Sequence, residues 1–270
     1  PVGTSVPQCF LKVNIFLLNI NKYFFFTKLP HCGILGKKRE EYAMRIALAY
    51  AMAGEIESLL TATGAKLLET VHGVPFYEIE RDIIAYAGGV GKVNAAMAAQ
   101  LCIDRCQPEW IVNAGVAGSF RDLAIGTVVL AEDFVQHDID TSAVDGVPGL
   151  IPTLNLTALP TDQPDRAGAI LAGLGVAFTR GRVATGDVFM TKGDRANAVA
   201  AEFSPTLCEM EGCAIAQVCL RNQVKFTALK SVSDRLCQDN SVDEYFNFAQ
   251  AMAKLNTIVL PFARALRDGL

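Results

Sequence analysis

The sequence predicts an α/β layered domain built around a mostly parallel sheet. Two features carry that expectation. From Met44 onward, apolar strand-like runs alternate with helical patterns, and a short polar or glycine-containing stretch sits where most of those strands would end. A third supports it: 270 residues that are 51% hydrophobic and only 19% charged can bury a large core and do not have the composition of a disordered chain.

Each element follows in order. "RIALAYAM" is a continuous apolar run, as expected of a strand covered on both faces. "AGEIESLLTATG" places Ile56, Leu59 and Leu60 at helical spacing, with Gly64 where the helix would stop. "KLLETVHGVPFYEIE" reads as two short strands about a Gly73 turn, and "DIIAYAGG" as another strand. "GKVNAAMAAQLCIDRC" is an alanine-rich helix, "WIVNAG" a strand running into a glycine turn, and "GTVVLAEDFVQHD" a further strand. Residues 141–180 are richer in Pro, Gly and Asp, with one helical patch at "RAGAILAGLG". Then come "GRVATGD" (strand), "DRANAVAAEF" and "EGCAIAQVCLRN" (helices), "KFTALKSVSD" (strand) and a long terminal helix from "SVDEYFNFAQ" onward. No internal repeat and no linker separates two domains.

Composition also excludes partners. A net charge of −4 gives no basic excess to track a phosphate backbone, so nucleic acid is not expected. The apolar stretch "FLKVNIFLLNINKYFFFTK" is interrupted by lysines and asparagines and contains no membrane-spanning run. It also lacks the small-residue cleavage site of a signal peptide. Because periodic patterning starts abruptly at Met44, residues 1–43 are expected to be a leader or extension, with Met44 the native start and 44–270 a single domain. Eight cysteines without a Cys-x-x-Cys pair read as small buried hydrophobes in a reducing cytosol. Three histidines (His31, His72, His137) without ligand spacing predict no metal site.

In such sheets, ligands bind beyond the carboxyl ends of the strands. "GGVGK" (Gly88–Lys92) lies at one such end, but Tyr86 and Val93 stand where a phosphate-cradling loop needs glycine and a hydroxyl residue. Nor is it a dinucleotide fingerprint, since Asn94 replaces the third glycine. It is either a tight turn or a place where a ligand meets exposed amides. "NAGVAGS" (Asn113–Ser119) likewise lets the backbone pass close to a ligand or a neighbouring helix. Four acids stand at strand ends: Glu55, Glu209, Glu211 and Asp234. Each alone could be a helix or turn cap. Together they are the convergent carboxylates that general acid–base chemistry needs.

These stretches carry a family resemblance. "AMAGEIESLL", "GGVGKVNAAMAAQL", "PEWIVNAGVAGSF", "IGTVVLAEDFVQHDID", "ATGDVFM", "EMEGCAIAQVC" and "SVSD", in this order from Met44 to about Leu266, resemble the 5'-methylthioadenosine/S-adenosylhomocysteine nucleosidases of the nucleoside phosphorylase superfamily. The resemblance implies a three-layer α/β/α sandwich with a central mixed, mostly parallel sheet, usually assembled as a homodimer. It also implies hydrolysis of the N-glycosidic bond of methylthioadenosine and S-adenosylhomocysteine, releasing adenine without metal or organic cofactor. By the same resemblance Glu55 would activate water, Asp234 would hold the proton delivered to adenine N7, and Ser233 would position Asp234. Glu211 would bind the ribose hydroxyls with Met210 against the sugar. Phe189 would stack on the purine, the Met190 backbone would read its edge, and Val116 and Gly118 would line the substrate from the "NAGVAGS" stretch. Glu209 ranks below these as a structural residue.

Three departures bear on specificity. Val116 stands where the family has a serine, Lys230 where an arginine commonly precedes the Ser-Asp strand end, and Val242 where an aromatic is common. The rival readings are an aminofutalosine or futalosine nucleosidase, a phosphate-dependent purine nucleoside phosphorylase, and a non-catalytic nucleoside-binding protein. The phosphorylase reading needs a phosphate cradle that Val116 weakens and Glu55 would repel. The non-catalytic reading has no use for a water-side acid.

Overall fold

The computed structural model describes residues 44–236 and 247–269. Residues 1–43 and Val242, on which two of the expectations above fall, lie outside them. A unit running from Glu41 to Leu270 carries the described elements. In chain order these are β1 (Ile46–Tyr50), α1 (Ala53–Thr63), β2 (Lys66–Val71), β3 (Val74–Glu80), β4 (Ile83–Ala87), α2 (Lys92–Cys106), β5 (Trp110–Ser119) and β6 (Val128–Gln136). There follow α3 (Ser142–Asp145), β7 (Leu159–Pro160), α4 (Pro164–Gly173), β8 (Phe178–Thr185), α5 (Asp194–Phe203), β9 (Leu207–Glu209), α6 (Gly212–Asn222), β10 (Lys225–Arg235) and α7 (Phe248–Arg267).

Alternation along β1 explains the layering, because successive side chains leave a strand on opposite faces. Ala47 and Ala49 join a core with the alanines and cysteines of α2 and with Cys213 and Ile215 of α6. Ile46, Leu48 and Tyr50 join a second core with Ile56 and Leu59 of α1, Ile170 and Leu171 of α4, and Leu255, Val259 and Phe262 of α7. A strand buried on both sides has no polar face to show, which is why "IALAY" is uniformly apolar. The result is the three-layer α/β/α arrangement.

The sheet is mixed, and its longest ladder is parallel, β10 against the whole of β5. One arm runs β5-β1-β4-β3-β2. On the other side β10, β6, β8 and β9 follow in sequence, and β9 pairs back onto Gly118 and Ser119 of β5. Five strands therefore close into a ring around the far half of β5.

One detail of the sequence reading is corrected. "NAGVAGS" is strand throughout, the second half of β5, because it has β10 on one edge and β9 on the other to satisfy its backbone. The strand end expected at Glu209 belongs to the three-residue β9, "LCE", which is too short to show a period of its own. The five described cysteines are buried and unpaired.

Candidate active site

Glu55 sits in the first turn of α1, just past the carboxyl end of β1, and is 2% exposed. Its Oε2 accepts the backbone N–H groups of Ala51 and Met52, each at 2.9 Å, and its Oε1 accepts that of Val116 at 3.2 Å. Burial raises its pKa above the usual carboxylate range, while these amides and the Lys230 charge pull the other way. The carboxylate thus closes the start of its own helix and also reaches across to β5.

The glycines of β5 now have a cause. A methyl built on Gly115 would lie 2.7 Å from Glu55 Oε1, and one on Gly118 would lie 2.9 Å from Asp234 Oδ2. Side chains at either position would displace a carboxylate, so the small residues mark the approach of two acids and not of a helix.

Asp234 opposes Gly118 across the β5–β10 ladder, after a bulge that leaves Ser233 outside the register. Bulges redirect side chains next to functional sites, and here the extra residue places Ser233 and Asp234 at the same cavity. Ser233 Oγ donates to Asp234 Oδ1 at 2.7 Å. Burial raises the Asp234 pKa above the usual carboxylate range, which this hydrogen bond only partly offsets.

The two acids of "CEMEG" divide their labour. Glu209 is the cap: its Oε2 accepts the N–H of Glu211 at 3.1 Å and of Gly212 at 2.7 Å, at the start of α6. Thr185 Oγ1 donates to its other oxygen, and buried Lys230 pairs with it at 3.0 Å. Glu211 Oε1 instead accepts the N–H of Gly91 at 2.9 Å. Burial, with the nearby Glu209 charge, pushes the Glu211 pKa up to about 7 against the opposing pull of Lys230.

The "GGVGK" stretch is a turn with Gly89 and Gly91 at positive φ, and its Gly91 amide is directed at a protein carboxylate. Lys92 is committed to Asp138 and to Asp187, the latter at 2.9 Å.

All nine candidate residues line one cavity of about 450 Å3: Glu55, Val116, Gly118, Phe189, Met190, Met210, Glu211, Ser233 and Asp234. Phe189 is 57% exposed, whereas Met190 is buried. Met52, Val90, Val188 and Cys208 also line it and were not singled out from the sequence. They follow strand ends or lie within β9, and apolar residues there carry no chemical signal of their own. Glu209 lines the cavity as well, and Lys230 stands behind it. A larger groove of about 660 Å3 lies between α1, β3 and α7, but its one acid, Glu80, is held by Arg264 and Arg267. The convergent acids are in the smaller cavity. Among the described residues, no group of three His, Cys, Asp or Glu side chains is placed to hold a metal ion.

A closed mixed sheet with its acids gathered at the strand ends defines the class: the chain belongs to the phosphorylase superfamily, whose family model matches residues 45–264. Within it, the 5'-methylthioadenosine/S-adenosylhomocysteine nucleosidase of Shewanella loihica is 34% identical over 208 residues, covering 74% of this chain and 90% of the relative. The structure of the nucleosidase of that name from Colwellia psychrerythraea, in complex with adenine, matches at a TM-score of 0.74 and 30% identity, covering 83% of this chain and 96% of that one. The futalosine hydrolase of Helicobacter pylori matches at a TM-score of 0.74 and 26% identity, over 84% of this chain and 99% of that chain.

Proposed function

We propose that the chain hydrolyses the N-glycosidic bond of 5'-methylthioadenosine and S-adenosylhomocysteine, releasing adenine and the thioribose product. The observation that carries this reading is the gathering of buried carboxylates in one cavity: Glu55, Glu211 and Asp234, beside a fourth, Glu209, that is already committed to Lys230 and the start of α6.

The chemistry assigns each a task. Adenine leaves poorly as an anion, so protonated Asp234 delivers its proton to N7 as the C1'–N9 bond breaks and its electron pair moves into the base. Positive charge grows on the sugar ring, and buried carboxylates stabilise it. Glu55 takes a proton from the attacking water, whose oxygen bonds to C1'. Glu211 accepts the ribose hydroxyls, which are donors, and Met210 packs against the sugar. Phe189 stacks on the purine and the Met190 backbone reads its edge. Ser233 holds Asp234, Gly118 leaves room for it, and Val116 supplies an amide to Glu55 and an apolar wall beside it. Phosphorolysis fits poorly, because a phosphate dianion would face the carboxylates while the nearby cation, Lys230, is paired with Glu209.

The assembly is a homodimer in the cytoplasm, serving methionine salvage. Buried, unpaired cysteines suit a reducing compartment, and large apolar side chains such as Val93 (79% exposed) and Val144 (92% exposed) suit a covered surface. No helix among the described residues is long and apolar enough to cross a membrane.

The test is a panel of methylthioadenosine, S-adenosylhomocysteine, aminofutalosine and inosine, with and without phosphate, reading released base by chromatography. Adenine release from the first two without phosphate is expected. Strict phosphate dependence with ribose 1-phosphate as product, or release from aminofutalosine alone, would overturn the assignment.

A further inference from the structure

Helix α7 lines none of the catalytic cavity, yet it touches the chain beside both catalytic acids. The N–H of Asn247, at its start, donates to the Ser233 carbonyl at 2.9 Å, one residue before Asp234. Nine residues later, Asn256 Nδ2 donates to the main-chain carbonyl of Glu55 at 3.0 Å and to Ser58 Oγ at 2.6 Å. At a helical rise those two anchor points are roughly 14 Å apart on one continuous helix. Phe248 fills the space above Gly54, where an added methyl would lie 3.5 Å from its ring. At the far end of α7, Arg264 and Arg267 are both paired with Glu80 of β3.

Glu55 is consequently held at both ends. Its carboxylate is fixed at the cavity by the amides of Ala51, Met52 and Val116, and its backbone is fixed from behind by a side chain outside the cavity. We infer that Asn256 is a positioning residue for hydrolysis, setting the depth of Glu55 in the cavity and, through α7, its separation from Asp234. Water attack tolerates little misplacement: an error of about 1 Å costs on the order of 100-fold in rate. A helix registered to both acids is a direct way of holding that distance. The inference rests on the water-side role of Glu55 proposed above.

The test compares Asn256→Leu, which keeps the size and removes the donors, with Ser58→Ala, which removes one acceptor and leaves the bond to Glu55. Turnover of methylthioadenosine, adenine binding and thermal melting are measured on each, with Glu55→Gln in the same assay. Asn256→Leu is expected to lower kcat about 10- to 100-fold, with KM and adenine affinity within about two-fold of the parent. The acidic limb of its kcat profile should move to higher pH, because a displaced first turn loosens the amides that favour ionised Glu55. Ser58→Ala should stay close to the parent. A kcat for Asn256→Leu within two-fold of the parent overturns the inference, as does an equal loss in Ser58→Ala. So does a loss accompanied by a matching fall in folded fraction or in adenine binding. If Glu55→Gln itself turns over normally, the water-side assignment is what fails; if it is inactive while Asn256→Leu is normal, only the positioning role is lost.

Discussion

At the scale of single residues, identical carboxylates do different work because their surroundings differ. Asp234 is buried with one hydroxyl donor, and burial raises its pKa, the direction that suits the proposed role of acid for N7. Asp234→Asn is expected to lower turnover by roughly 100-fold or more, the range for lost general acid catalysis, and near-parental rates in a steady-state assay would remove Asp234 from that role. In the proposed reaction Glu211, with a pKa of about 7, has to ionise to accept the ribose hydroxyls, so KM for methylthioadenosine should rise as pH falls below about 7. The same shift has a stability consequence. Between the ordinary value of 4.5 and about 7, the unfolded chain has released this proton and the folded chain keeps it, so the Glu211 contribution to stability falls as pH rises through that window. Glu211→Gln should therefore melt higher than the parent at pH 8, by on the order of 1–3 kcal/mol, and show no such gain near pH 4.5. Thermal melts at the two pH values check this, and the variant should at the same time bind the nucleoside poorly.

Elements place those residues. Strand β5 can pass between Glu55 and Asp234 only because residues 115 and 118 have no side chain. Gly118→Ala would set a methyl 2.9 Å from Asp234 Oδ2 and 3.4 Å from Cys208 Sγ, which neither β-strand can yield to easily. It should fold with a modest loss of stability and lose at least about 10-fold in kcat, as expected of a displaced catalytic group; kinetics indistinguishable from the parent would show that the close approach is immaterial. The start of α6 depends on Glu209, and Glu209 depends on Lys230. Replacing Lys230 by methionine would leave Glu209 buried without its counter-ion, a change that costs about 3–5 kcal/mol for buried pairs of this kind. A denaturant midpoint unchanged from the parent would contradict that account.

The whole molecule brings together strand ends that are far apart in the chain. Glu55 follows β1, Glu211 follows β9 and Asp234 stands near the end of β10; β5 pairs with all three strands, and the three acids line one cavity. Hydrolysis by these acids needs no metal, so incubation with EDTA should leave turnover unchanged; inactivation that added zinc reverses would show that a metal takes part.

Much of this was legible before any coordinates. The elements from "RIALAYAM" to the terminal helix could be placed because burial on one or both faces writes a period of 2, a period of 3.6 or an unbroken apolar run into the chain. The candidate residues could be named because their ordered motifs resemble a known family. Other features were not legible. "NAGVAGS" looks like a turn because glycine is ambiguous locally, and only its neighbours β10 and β9 make it a strand. Glu209 and Glu211, two residues apart at the same helix start, are separated only by the family resemblance and not by local pattern, since a cap and a ligand-facing acid are the same side chain aimed differently. By itself the sequence determined the order and type of the elements and a short set of acids, because these rest on local periodicity and residue chemistry. Only the tertiary structure decided which of the cavity acids is tied up capping a helix, which accepts the Gly91 amide and what the glycines make room for. Those depend on partners up to 120 residues distant along the chain, as the bond from Gly91 to Glu211 illustrates.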